Sequence, residues 1–374
     1  MAYNPWRAAI NGAGWKPSTT NPGESQMAQF ESIFASRRSF LKSLAITVAA
    51  GHALFRGHDV RAAMDVAAAE VDPPSGWPDM KRRPLGQTGF EASPLVFGCG
   101  AALMFRRHDA LLDAAFDAGI NVFDVGHRAY YRNAEDNLAP FLARRRDDIF
   151  LISKGLVGLD LTPNQDVSVA QARDGAKAWQ KRLDESLAAL GVGQVDAYYV
   201  MAANNPGLIG SDEILAAAER AKQAGKMRFL GLSTHQNQQR VLEAAMKTGQ
   251  YGLAMIAVTP AGWYDWESKG IAKDTEPMAK LQPFLARLRE TGIGLVGMKA
   301  GRYLAGRWFL PFSQPEAFNA YYDKAFLATK LSAFQRSYAY VLEHGLDVVN
   351  ADMQSVAHLQ ENVVAAATAP SYFA

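Results

Sequence analysis

The feature that most constrains this chain is a regular alternation. Short apolar or β-branched runs are each followed by a stretch of helical period, eight times over. The runs are 95–100, 121–126, 149–154, 195–201, 229–234, 253–258, 294–299 and 348–354. The helical stretches are 108–119, 134–143, 169–191, 211–225, 237–249, 276–292, a segment within 315–345, and 355–367. Strands alternating with amphipathic helices predict parallel βαβ units. Eight such units predict an α/β fold of the closed (β/α)8 TIM-barrel type, in a single domain. An open doubly wound sheet is disfavoured, because no G-x-G-x-x-G turn follows the first strand. Ahead of it, RPLGQTGFEAS (83–93) has turn chemistry and reads as a small hairpin. The barrel is expected over 82–368, with 369–374 as a C-terminal tail.

Composition narrows the partners. Net charge is +2, with no basic stripe interleaved with aromatics, which argues against nucleic acid. Cys99 is the only cysteine, so there is neither a disulfide framework nor a Cys-based metal site. Near the N-terminus, SRRSFLK (36–42) is followed by LAITVAAGHALF (44–55) and the small-residue stretch VRAAMDVAAAE (60–70). Paired arginines, a short apolar run and an Ala-rich zone resemble a twin-arginine export signal. The resemblance implies recognition by the twin-arginine export machinery and a periplasmic destination. The apolar run is too short, and too broken by His52, for a stable membrane span. Residues 1–35 read as a disordered leader, 36–70 as the signal region and 71–81 as a linker.

In a (β/α)8 barrel the chemistry gathers at the C-terminal ends of the strands. Asp124 and His127 close or follow the second run, Lys154 ends the third and Met201 the fourth, with Asn204 and Asn205 just beyond. Ser233, Thr234 and His235 end the fifth, and Lys299 ends the seventh.

The stretches RRPLGQTGFEASPLVFGCG, GINVFDVGHRAYYRNAED, DDIFLISK, VDAYYV, GLSTH, GIGLVGMKAG and SVAHLQENV stand in one order over 82–368. Together they resemble the aldo-keto reductase family. That resemblance implies NADPH-dependent carbonyl reduction by an Asp, Tyr, Lys and His tetrad. Asp124 and Lys154 take two of the places. Counting back four from Glu135 favours Tyr131 over Tyr130 as the proton donor. A lysine cation beside a phenol is expected to lower its pKa.

The sequence departs from the family pattern at several places. Met201 occupies the histidine position, and a thioether donates no hydrogen bond. His127 and Asn204 are candidate substitutes. Met255 and Val258 stand at the Gln and Tyr positions of the sixth strand, and Asp352 stands where cofactor phosphates approach. Ser233, Thr234, Lys299, Gln354, Ser355, Glu361 and Asn362 remain as cofactor-binding candidates. NADP(H) binding is therefore expected to be weak. Trp263, Tyr264, Trp266, Trp308, Phe309 and Phe312 are expected in loops at the barrel mouth, lining a pocket or packing as a lid.

These residues imply an exported oxidoreductase that interconverts carbonyl and alcohol in a small-molecule substrate. The alternative is a non-catalytic exported barrel that binds a small ligand or a protein partner. A metal site built from Asp124, His127 and His235 is a further rival; the leading reading assigns no metal.

Overall fold

The structure, a computed structural model, describes residues 76–305 and 313–373. The leader, the signal region and residues 71–75 of the linker lie outside the described residues, as do Trp308, Phe309 and Phe312.

Eight parallel strands form the barrel: β1 (Leu95–Gly98), β2 (Val122–Asp124), β3 (Phe150–Leu156), β4 (Val195–Met201), β5 (Met227–Thr234), β6 (Tyr251–Thr259), β7 (Gly294–Met298) and β8 (Val348–Asp352). Each pairs with its sequence neighbours, β5 with β6 included, and β8 pairs with β1 to close the ring. The expected (β/α)8 barrel is the observed fold. The main helices are α1 (Asp109–Asp117), α2 (Ala134–Arg145), α3 (Val169–Leu190), α4 (Asp212–Gln223), α5 (Gln238–Thr248), α6 (Met278–Glu290), α7 (Ala333–Glu343) and α8 (Val356–Phe373). Helix α8 continues through Pro370, so 369–373 belong to a helix and not to a tail.

The strand period of two sorts the side chains. One face packs inside the barrel: Val96, Val122, Ile152, Tyr199, Leu253, Val296 and Val348 fill its waist. The other face packs under the helices, where Trp179 of α3 donates its indole N–H to the Tyr199 carbonyl at 3.1 Å. The N-terminal hairpin pairs Arg83–Pro84 with Glu91–Ala92. It packs Leu85 and Ala92 into the interior core and lays Phe90 against Phe150, closing one end of the barrel. Gly86 makes the approach feasible. Its φ is +51°, and a Cβ there would sit 2.4 Å from the Gly294 amide nitrogen.

The region after β6 is more ordered than a loop. Gly262–Asp265 turns back antiparallel on β6 and pairs with Gly270–Ile271, so Trp266 sits in the tip of a hairpin over the mouth. Trp263 and Tyr264 are buried beneath it.

Candidate active site

Asp124 ends β2 and Lys154 lies on β3, both facing inward. The Lys154 ammonium is 2.6 Å from each Asp124 oxygen and 2.6 Å from the Val125 carbonyl. An ammonium has three protons, so all are committed. Asn350 of β8 completes the cluster, its amide donating to Asp124 Oδ2 at 2.6 Å. Burial raises the Asp124 carboxyl above its ordinary value, against the pull of Lys154 and Asn350. Asn350 was not singled out from the sequence. The available signal was a polar residue at the inward position between Val348 and Asp352.

Tyr131 closes a four-residue helix, Arg128–Tyr131, and its ring lies between two glycines. A Cβ on Gly100 would fall 2.3 Å from Tyr131 Cε1, and one on Gly126 would fall 2.7 Å from Cδ2. These bare backbones let the ring reach the mouth, with the Lys154 ammonium 5.3 Å from its centroid. Tyr130 is more exposed and meets Tyr131 edge-on at 4.7 Å. Burial pushes the Tyr131 phenol well above its ordinary value, and Tyr130, Asp124 and Asp352 push the same way. The expectation that Lys154 lowers this pKa is therefore not met. The ammonium is neutralised by Asp124 and has no proton left for the phenol.

Neither expected substitute for the missing histidine reaches the mouth. His127 caps the short helix, its Nδ1 accepting from the Ala129 amide at 3.1 Å while Nε2 meets Glu185 Oε2 at 2.8 Å. Accepting an amide at Nδ1 places the proton on Nε2, so the ring is saturated and structural. Asn204 is also occupied. Its Oδ1 accepts from the His235 and Gln236 amides, at 3.0 and 3.2 Å, and from the Thr234 hydroxyl at 3.2 Å. That single hydroxyl proton is shared between Asn204 Oδ1 and the closer Gln236 carbonyl at 2.9 Å, so Thr234 holds the strand end and does not line the cavity. Asp124, His127 and His235 do not come together, and no group of three metal-ligating side chains gathers among the described residues.

This network presents His235, expected at the end of the fifth strand, at the mouth. Its Nδ1 is buried without a partner. Burial, with Lys299, Lys154 and Lys269 nearby, lowers its pKa to about 3, so the imidazole is neutral. Met201, at the end of the adjacent strand, lines the same space.

The mouth encloses a cavity of about 450 Å³. Tyr131, Lys154, Ser233, His235, Trp266 and Lys299 are among its walls. The residues fit a nicotinamide dinucleotide at one end only. The Ser233 hydroxyl is buried without a partner, as a donor or acceptor awaiting an amide would be, and Asn362 is a buried polar wall residue. Elsewhere the fit weakens. Met255 faces inward but Val258 belongs to the outer core, so that position offers no aromatic face. Asp352 lines the cavity and accepts from Gln354 at 3.1 Å. Ser355 accepts from the His358 amide at 3.3 Å. The Glu361 carboxylate is taken by the Ser332 hydroxyl at the start of α7.

The sequence profile of the Aldo/keto reductase family matches residues 99–277. Among curated proteins, the chain is 30% identical over 158 residues to the uncharacterized oxidoreductase YqkF of Bacillus subtilis, covering 41% of this chain and 49% of that protein. It is 29% identical over 160 residues to the aldo-keto reductase yakc [NADP(+)] of Schizosaccharomyces pombe, covering 40% and 45%. The chain thus spans about half the length of the curated relatives it matches. Among solved structures, the aldo-keto reductase AKR11C1 of Bacillus halodurans, in its holo form, superposes with a TM-score of 0.54 at 21% identity, covering 76% of this chain and 90% of that one. A Klebsiella pneumoniae aldo-keto reductase in complex with NADPH gives 0.53 at 16% identity, covering 77% and 89%. At these identities the structural likeness speaks to the fold. The family match, residues 99–277, takes in just under half of the chain.

Proposed function

We propose that the chain is an NADP(H)-dependent oxidoreductase that reduces a carbonyl compound at the barrel mouth. The observation that carries this reading is the placement of Tyr131 against the buried Lys154–Asp124 pair, in one cavity with His235. A bound nicotinamide would supply the hydride; the protein must supply a proton and a hydrogen-bond donor for the carbonyl oxygen. Tyr131, its pKa raised, keeps its proton at neutral pH and is the proton donor. Lys154, held by Asp124 and the Val125 carbonyl, packs beside the ring and positions it, and Asn350 completes the cluster through Asp124. His235 takes the office of the missing histidine. A neutral imidazole polarises a carbonyl as a donor and not as an acid, and its low pKa keeps it neutral.

Loss of a preorganised donor of this kind costs about 10²–10³ in turnover. His235→Ala is expected to show that loss in NADPH-coupled carbonyl reduction, while Asn204→Ala, which frees the loop, is expected to show part of it. Unchanged turnover in His235→Ala would remove His235 from the reading. Cofactor affinity is expected to be weak, in the micromolar-to-millimolar range, because Asp352 faces the cavity and Glu361 is committed elsewhere. The second reading is a barrel that binds a ligand without reducing it. Met201 and the fully committed Lys154 protons favour it.

Export rests on residues 36–70 alone. Changing Arg37 and Arg38 to Lys is expected to leave the protein in the cytoplasm, as fractionation would read. Unaltered export would refute the signal.

A further inference from the structure

The hairpin tip and the end of β7 put two lysines on one indole ring. Lys269 Nζ lies 3.4 Å from the Trp266 centroid and Lys299 Nζ lies 4.5 Å from it. Two ammonium groups sharing one ring repel each other, and the ring quadrupole offsets only part of that. Among the described residues no carboxylate lies within ion-pair distance of either lysine. The carboxylates nearest in the chain are engaged elsewhere: Asp265 and Glu267 accept from Gln236, at 3.3 and 2.8 Å, and Asp352 accepts from Gln354. Arg302 adds further positive charge to the same wall.

The backbone of Lys299 strengthens the point. Its φ is +69°, a left-handed conformation that costs a non-glycine residue about 1–2 kcal/mol. The residue held there is a lysine, and it lines the mouth. Independent of the cations, two residues that line the same cavity hold buried polar atoms without a partner: the Ser233 hydroxyl, on a residue 2% exposed, and His235 Nδ1. A cavity with unsatisfied polar atoms at one wall and Lys299, which makes no ion pair among the described residues, at another is shaped for a polar ligand with an anionic end.

We propose that the substrate of this site carries an anionic group, a carboxylate in the simplest case, held by Lys299 at the cavity wall beside Trp266, with Lys269 on the same indole adding positive charge, while its carbonyl faces Tyr131 and His235. This rests on the carbonyl-reduction reading for the orientation of the carbonyl, but the anion site does not need turnover to be detected. Burial lowers both lysines to about 8, with neighbouring cations adding to the effect and Asp352 opposing it at Lys299 and Asp265 at Lys269. An anion beside them would raise both values again.

The test is calorimetric titration of the purified protein with 4-carboxybenzaldehyde and with benzaldehyde, without cofactor. The carboxylate is expected to bind at least about tenfold more tightly, the equivalent of about 1.4 kcal/mol. Lys269→Met, at a half-buried position where folding is not at stake, and Lys299→Met should each erase most of that preference. Equal affinity for the two probes, or a preference that survives both substitutions, would overturn the proposal. The dinucleotide diphosphate is the other source of an anion. Repeating the titration at saturating NADPH separates the two. A retained carboxylate preference supports the substrate site; competitive displacement, with Lys299→Met loosening NADPH, would overturn it in favour of a diphosphate site. Should reduction fail while the carboxylate preference persists, the reductase reading falls and the anion site stands.

Discussion

Lys154→Met is expected to destabilise the fold by about 3–5 kcal/mol, the usual consequence of stripping one partner from a buried ion pair. The side chains of Lys154 and Asp124 are 4% and 7% exposed, so the remaining carboxylate would find neither solvent nor cation. Asn350 could donate one hydrogen bond to it, which is insufficient for a buried charge. The Asp124 carboxyl, already raised by burial, would rise further and take up a proton. Urea denaturation checks the size of the loss. The companion measurement is the double variant Lys154→Met with Asp124→Asn. A neutral pair of similar volume leaves no buried charge, so the double variant is expected to be more stable than Lys154→Met alone. If instead the two losses add, the pair is not coupled as its geometry indicates.

The barrel was legible because its signal is periodic. Strand alternation and helical period recur eight times, and the sequence boundaries of α2 through α6 lie within a few residues of the observed ones. What was not legible depends on contacts between distant segments. Nothing local distinguishes His127 as a helix cap from His127 as a mouth residue; the capping distance to Ala129 and the partner Glu185, 58 positions away, decide it. Asn204 read as a free donor, yet its carbonyl oxygen staples the His235 loop. Asn350 stood in an apolar strand without a motif around it. The pKa of Tyr131 was anticipated in the wrong direction, because the sequence places a lysine nearby without showing that Asp124 and the Val125 carbonyl consume its protons. Trp266, assigned to a loop, gains its relation to Lys269 and Lys299 only through the hairpin after β6.

Tyr131→Phe is expected to slow carbonyl reduction by about 10²–10⁴, the worth of a positioned proton donor, or about 3–5 kcal/mol of barrier. Removing one hydroxyl leaves the ring between Gly100 and Gly126, so the fold should be little affected. Tyr130→Phe, at the more exposed ring, is expected to matter far less. The most direct measurement is single-turnover reduction of 4-carboxybenzaldehyde with NADPH deuterated at C4, at millimolar nucleotide because binding is expected to be weak. Deuterium appearing in the alcohol product with the native protein, and appearing about 10²–10⁴ times more slowly with Tyr131→Phe, is the predicted result. No transfer at millimolar NADPH, or equal rates in the two proteins, would contradict a reductase built on Asp124, Tyr131 and Lys154.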